Sequence, residues 1–188
     1  MVRHRQQMNG ECSMEMESDK EILEAVQALA AALTQRGWRL GTAESCTGGL
    51  LAGALTAVAG SSDWYHGGFV TYSNAEKIRQ LGVAEVSLDM HGAVSEQVAS
   101  QMATGVLAVT RETQFAISTT GIAGPGGATP GKPVGMVCFG FARLCDDGVV
   151  VAAQTRLFDG DRAAVRRAAV LYALRAALPL VSAPCTTR

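Results

Sequence analysis

Ser45, Tyr72 and Lys77 are the side chains whose types and spacing offer a reaction. Ser45 lies in Glu44-Ser45-Cys46-Thr47-Gly48-Gly49, between a short apolar run and an Ala/Leu-rich one. A serine hydroxyl is a weak nucleophile at neutral pH and needs a base beside it. The three histidines, His4, His66 and His91, all fall outside the glycine-marked loops. Lys77 follows Tyr72 by five residues and Asn74 by about one helical turn, so its side chain can reach back toward a strand end. Burial would lower its pKa from about 10.4 and let it accept the serine proton. Tyr72 could relay that proton or donate to a leaving group. A plainer alternative caps helices with Ser45 and Asn74, leaves Lys77 in solvent and uses the glycines for turns. The residues alone leave both readings open.

Around this trio the sequence offers binding chemistry. Gly48 and Gly49 allow close backbone approach, and the helix expected after them presents unpaired N–H groups, from Thr47 to Gly49, for an oxyanion or phosphate. The loop lacks the Gly-Lys-Ser/Thr ending of a phosphate-binding Walker loop. Gly121 to Gly126 lacks dinucleotide spacing, and Pro125 interrupts the helix such a site requires. Cys46 reads as a small buried hydrophobe, and Glu44 either as a substrate ligand or as a cap. Arg162 opens a helix capped by Asp161. A cation there is locally unfavourable, which points to an acidic partner, either a substrate phosphate or a neighbouring subunit.

The elements that must position these residues can be read from period and punctuation. Ser18 and Glu21 form a capping box, and Ile22, Leu23, Val26, Leu29, Ala30 and Leu33 share one helical face up to the stop at Gly37. Strands are expected over 38–43, 67–72 and 114–120, each followed by a glycine-marked loop. Helices are expected over 49–58, over 74–81 with Asn74 as cap, over 95–110 with Ser95 as cap, and from Asp161 to about Pro179. Residues 134–143 and 149–158 form a hairpin about Asp146-Asp147-Gly148. Strands alternating with helices imply α/β class, a three-layer α/β/α sandwich with a mixed, mostly parallel sheet and one late hairpin. One domain is expected over 18–182, with a disordered tail over 1–17 and a second tail over 183–188.

Composition excludes several function classes. Sixteen basic against seventeen acidic residues give a net charge of −1, no field for nucleic acid. No apolar stretch is long enough for a membrane span, and residues 1–17 lack the apolar run of a signal peptide. Five cysteines without CxxC spacing read as reduced thiols in a cytoplasm. The scattered histidines supply no metal set.

Eight ordered motifs carry a resemblance. They are Ala43-Glu44-Ser45-Cys46-Thr47-Gly48-Gly49, Gly60-Ser61-Ser62, Gly68-Phe69-Val70-Thr71-Tyr72-Ser73-Asn74 with Lys77, Leu81-Gly82-Val83, Gly92-Ala93-Val94-Ser95-Glu96, Thr120-Gly121-Ile122-Ala123-Gly124-Pro125, Lys132-Pro133-Val134-Gly135 and Phe158-Asp159-Gly160-Asp161-Arg162. Together they resemble the carboxy-terminal domain of the CinA family, whose stand-alone members include nicotinamide-nucleotide amidohydrolases. The chain departs from the family's pattern at Ala59, usually Pro, and at Gly126, often acidic or polar. The resemblance implies the stand-alone form and hydrolysis of nicotinamide mononucleotide to nicotinate mononucleotide and ammonia, without a cofactor. It maps a serine–lysine–tyrosine set onto Ser45, Lys77 and Tyr72, and it suggests a homodimer. Candidate substrate contacts are Glu44, Thr47, Gly48, Gly49, Asn74, Thr120, Gly121, Gly124 and Arg162. The rivals are a non-catalytic nucleotide- or partner-binding module linked to competence or DNA damage, and an amidase for another small amide.

Overall fold

The computed structural model describes residues 2–185, with side chains from Glu17 onward. Five strands form one sheet in the order β2-β1-β3-β4-β5. Strands β1 (Leu40–Glu44), β2 (Tyr65–Val70) and β3 (Phe115–Gly121) are mutually parallel. Strands β4 (Met136–Cys145) and β5 (Gly148–Leu157) add an antiparallel hairpin at one side, closed by Asp146-Asp147. Helices α1 (Val2–Arg36), α2 (Leu50–Thr56) and α6 (Arg162–Ser182) pack with one face of the sheet. Helices α3 (Asn74–Leu81), α4 (Glu85–His91) and α5 (Glu96–Val109) supply the layer beyond the other face. This is the α/β/α sandwich expected.

The two faces of the sheet are built from residues of different size. Leu40, Phe115, Ile117, Val137, Phe139 and Phe141 alternate along their strands toward α1 and α6, where Leu29, Leu33 and Leu174 meet them. The intervening positions are small, with Ala43, Ala116 and Ala142 facing Val98, Met102 and Val106 of α5. Gly140 shares that face, and a Cβ there would lie 2.2 Å from the Ala99 carbonyl of α5. Helix α5 therefore packs almost backbone to backbone on the sheet.

Several boundaries differ from expectation. Helix α1 runs straight through Ser18 and Glu21, so that pair does not start it; the tail expected over 1–17 falls on residues whose side chains, up to Met16, are not described. Ser73 rather than Asn74 caps α3, its hydroxyl accepting from the Glu76 amide at 3.2 Å. Ser95 and Asp161 cap α5 and α6 as expected. Helix α6 passes Pro179 and ends at Ser182, because Val181 is fully buried and holds the last turn in the core. Helix α4 was not foreseen; seven residues without a side-chain cap give little periodic signal.

The cysteine reading is corrected. Cys145 and Cys185 form a disulfide across 40 residues of sequence, while Cys46 and Cys138 are free. The chain beyond α6 returns to the end of β4, where Arg143 donates to the carbonyls of Leu180 and Ala183. Only that return brings the two sulfurs together. Among the described residues, no helix is long and apolar enough to cross a membrane.

The packing makes a paired prediction. Gly140→Ala should destabilise by about 1–3 kcal/mol, because the new methyl meets a carbonyl that cannot retreat. Gly53→Ala, in exposed helix with nothing near its Cβ position, should stabilise by about 0.5–1 kcal/mol. Denaturant midpoints of the two variants check both signs.

Candidate active site

Three loops converge at the carboxyl ends of the parallel strands because the register aligns them. Glu44 pairs with Val70 on one side and with Thr119 on the other. The Ser45 amide donates to the Thr119 carbonyl at 2.9 Å, and the Thr71 amide to the Glu44 carbonyl at 2.9 Å. Ser45, Thr71-Tyr72 and Thr120-Gly121 are thus held side by side. Below them lies a cavity of about 230 Å³ lined by Ser45, Cys46, Tyr72, Lys77, Thr120, Gly121 and Arg162, and by Ala93 and Val94 before α5.

Lys77 is the centre of this cavity. It rises from the first turn of α3 and is 1% exposed. Its Nζ donates to Ser45 Oγ at 3.1 Å, to the Thr71 carbonyl at 2.9 Å and to the Tyr72 carbonyl at 3.4 Å. Three acceptors match the three donors of an ammonium. In the neutral amine, two N–H groups satisfy the two carbonyls, and the lone pair is left for the Ser45 hydroxyl. Burial penalises the charged form and lowers the Lys77 pKa to about 8. The same burial pushes the Cys46 thiol up to about 12, so it stays a neutral wall beside Ser45. Cys46 is no rival nucleophile.

Other candidates divide between lining the cavity and holding its loops. Glu44 is 1% exposed and spends its carboxylate on the amides of Gly49 (2.9 Å), Leu51 (3.1 Å) and Ala52 (2.8 Å). It caps α2, with both oxygens engaged, and lines no part of the cavity. The Gly48 amide donates to the Ser45 carbonyl at 3.1 Å, and the Thr47 hydroxyl pairs with Thr119 Oγ1 at 2.7 Å. Gly48 and Gly49, both at positive φ, form the turn that starts α2. Of the loop amides expected for an oxyanion, Gly48 and Gly49 are already engaged, whereas that of Thr47, together with the Cys46 amide that was not among those expected, is directed at the Cys46 sulfur. Asn74 is exposed and lines no part of the cavity.

Tyr72 departs most from expectation. Its ring lines the cavity but is 62% exposed, and its hydroxyl accepts from Arg162 Nη2 at 3.3 Å. The phenol is therefore joined to the start of α6 and bonds neither Ser45 nor Lys77. Arg162 Nη1 donates to the Gly124 carbonyl at 2.8 Å. Thr120 Oγ1 donates to the Ala93 carbonyl at 2.8 Å, tying β3 to the loop before α5. Arg162 also lines a second cavity of about 630 Å³, with Ala123, Pro125, Gly160 and Arg166. Arg166 was not singled out from the sequence. Its position four residues after Arg162 puts both guanidiniums on one face of α6, which is the signal that was there to read.

Known proteins match this sequence and fold. The sequence pattern of the CinA C-terminal domain covers residues 23–181. The chain belongs to the CinA C-terminal domain family. A nicotinamide-nucleotide amidohydrolase of Enterobacter agglomerans is 51% identical over 161 residues, 86% of this chain and 96% of that protein. One from Escherichia coli K12 is 47% identical, over 84% of this chain and 93% of its own length. A CinA superfamily protein from Klebsiella pneumoniae superposes with a TM-score of 0.80 at 39% identity, over 86% of this chain and 98% of that one. A competence/damage-inducible protein from Agrobacterium tumefaciens gives 0.78 at 44% identity, over 85% and 95%.

The lowered pKa of Lys77 makes a prediction about pH. If Lys77 is the base, only its neutral form accepts the serine proton, so kcat should rise with pH through a midpoint near 8 and level off above it. Lys77→Arg should lose at least ~100-fold, because a guanidinium keeps its proton across that range. A pH–rate profile of wild type, measured by single turnover so that chemistry is followed, checks the midpoint.

Proposed function

We propose that the protein hydrolyses the carboxamide of nicotinamide mononucleotide, giving nicotinate mononucleotide and ammonia, with Ser45 as nucleophile. The observation that carries the mechanism is the buried Lys77 Nζ, 3.1 Å from Ser45 Oγ with no carboxylate paired to it among the described residues. The relatives named for this activity, matched over almost their whole length, support the substrate. Ser45 Oγ attacks the carboxamide carbon while Lys77 takes its proton. The amides of Cys46 and Thr47 receive the developing oxyanion. Lys77 then returns a proton to the departing nitrogen, which leaves as ammonia. Water, deprotonated by Lys77, cleaves the acyl-enzyme and restores Ser45. No step calls for a cofactor.

The two cavities suggest how the substrate lies. The ring carboxamide enters the smaller one against Ser45, and the phosphate extends into the larger one beside Arg162 and the amino terminus of α6. Arg162 lines both cavities and Tyr72 is bonded to it, so Tyr72 serves as a wall of the smaller cavity and a support for Arg162 rather than as a proton relay. The partner is this small nucleotide and not nucleic acid, in keeping with a net charge of −1. We place the protein in the cytoplasm on its free Cys46 and Cys138 thiols; the Cys145–Cys185 bond is the feature that weighs against it.

A homodimer is part of the same proposal. Strand β5 is an outer strand with Val149, Val151 and Leu157 exposed, an edge that a second copy could cover. Light scattering at micromolar concentration should report twice the chain mass, and a monomer would reject the dimer.

Two measurements test the reaction. Ser45→Ala should abolish ammonia release while the fold survives. Normal turnover in that variant would remove the covalent mechanism. Each charge-assisted hydrogen bond to phosphate is worth roughly 1.5–3 kcal/mol, so nicotinamide riboside should fall at least ~100-fold below the mononucleotide in kcat/KM if two are lost. Arg162→Ala should narrow that gap. Equal kcat/KM for the two compounds would reject phosphate recognition and leave the amidase chemistry standing.

A further inference from the structure

Arg166 reaches from α6 to the nucleophile loop and touches none of the reacting side chains. Its Nε donates to the Cys46 carbonyl at 3.1 Å and its Nη2 to the Thr47 carbonyl at 2.7 Å. A Cβ on Gly48 would stand 3.3 Å from Nη2, so the loop and the guanidinium are in close packing. These two carbonyls belong to the Cys46–Thr47 and Thr47–Gly48 peptide units of the loop. In a trans peptide the C=O and N–H point in opposite directions. Drawing the Cys46 carbonyl toward α6 therefore turns the Thr47 N–H the other way, to the side of the Cys46 side chain, and Cys46 lines the cavity. No oxygen among the described residues accepts a hydrogen bond from that amide or from the Cys46 amide. By contrast, Gly48 and Gly49 have their amides taken up inside the loop.

We propose that Arg166 is a positioning residue for the reaction, holding the Cys46–Thr47 peptide so that its amide is aimed at the oxyanion. The planar fork suits this task, since one side chain fixes two successive carbonyls and so removes the rotation about the peptide between them. A cation on the carbonyl side also polarises the peptide and makes the opposite N–H a stronger donor. Arg162, one turn earlier on the same face, points to the mouth of the cavity and bonds Tyr72 and Gly124. The two arginines thus divide the work, Arg162 on the substrate side and Arg166 on the loop side. This rests on Ser45 being the nucleophile, and it does not depend on which amide is cleaved.

The test reads the oxyanion donor independently of the substrate. A fluorophosphonate phosphonylates an activated serine: the Ser45 Oγ–P bond forms, the P–F bond breaks, and the serine proton leaves with Lys77. Its rate needs the same donors for the phosphonyl oxygen. Arg166→Ala should slow both phosphonylation and kcat by about 30-fold, with KM for the mononucleotide within about threefold of wild type and the midpoint near pH 8 kept. Methylguanidine at millimolar concentration should restore part of the labelling rate. Arg166→Lys, which can reach one carbonyl but not both, should fall between the two; it decides the matter if the alanine variant shows no cooperative thermal transition. Wild-type labelling by a folded Arg166→Ala or Arg166→Lys protein overturns the proposal. So does a loss seen with the mononucleotide but absent with the riboside and the fluorophosphonate, which would make Arg166 a phosphate ligand. A wild-type protein that is labelled at Ser45 yet releases no ammonia from the mononucleotide would reject the substrate and leave the Arg166 comparison intact.

Discussion

A lysine held inside the protein without a counter-charge is the constraint on which the site depends. Taking an ammonium out of water is costly unless carbonyls or carboxylates replace the lost hydration. Here the carbonyls of Thr71 and Tyr72 and the hydroxyl of Ser45 do so in part, and no carboxylate pairs with Lys77 among the described residues. The acid next to Ser45 in sequence, Glu44, is turned away, both of its oxygens accepting from amides of Gly49, Leu51 and Ala52 at the start of α2. Had its carboxylate faced Lys77, the ammonium would have been stabilised and its pKa kept high. Capping α2 with Glu44 therefore serves two ends, anchoring the Ser45 loop and keeping negative charge off the lysine.

The sheet makes that arrangement rigid. Parallel pairing of β1 with β2 and β3 delivers three chain segments to one edge, and the register leaves Ser45 beside Thr119 and Thr71 beside Glu44. Helix α5 can lie close enough for the loop before it to line the cavity because the sheet face beneath it carries glycine and alanine. The opposite face, filled by Phe115, Phe139 and Phe141, carries α6 at the height from which Arg162 and Arg166 reach the site. One pattern of side-chain size thus sets how closely the helices on the two faces approach the site.

Local sequence fixed much of this. Hydrophobic period and the Gly37, Ser95 and Asp161 signals located the main elements, because a helix stop or a cap is a matter of a few neighbouring atoms. The strand–serine–glycine order and the lysine one turn into the following short helix were legible as a possible dyad, and the ordered motifs carried the family. What residues alone left open was whether Lys77 is buried, and burial is what lowers its pKa to about 8. The contacts of Glu44, Tyr72 and Arg166, the cap at Ser73 and the Cys145–Cys185 pairing were decided by tertiary structure. Each depends on a partner brought in from another element: α2 amides for Glu44, α6 for Tyr72, the nucleophile loop for Arg166, and the end of β4 for Cys185. A side chain's neighbours within one turn are written in its own segment, whereas contacts across 90 or 120 residues exist only once the sheet and its helices have closed.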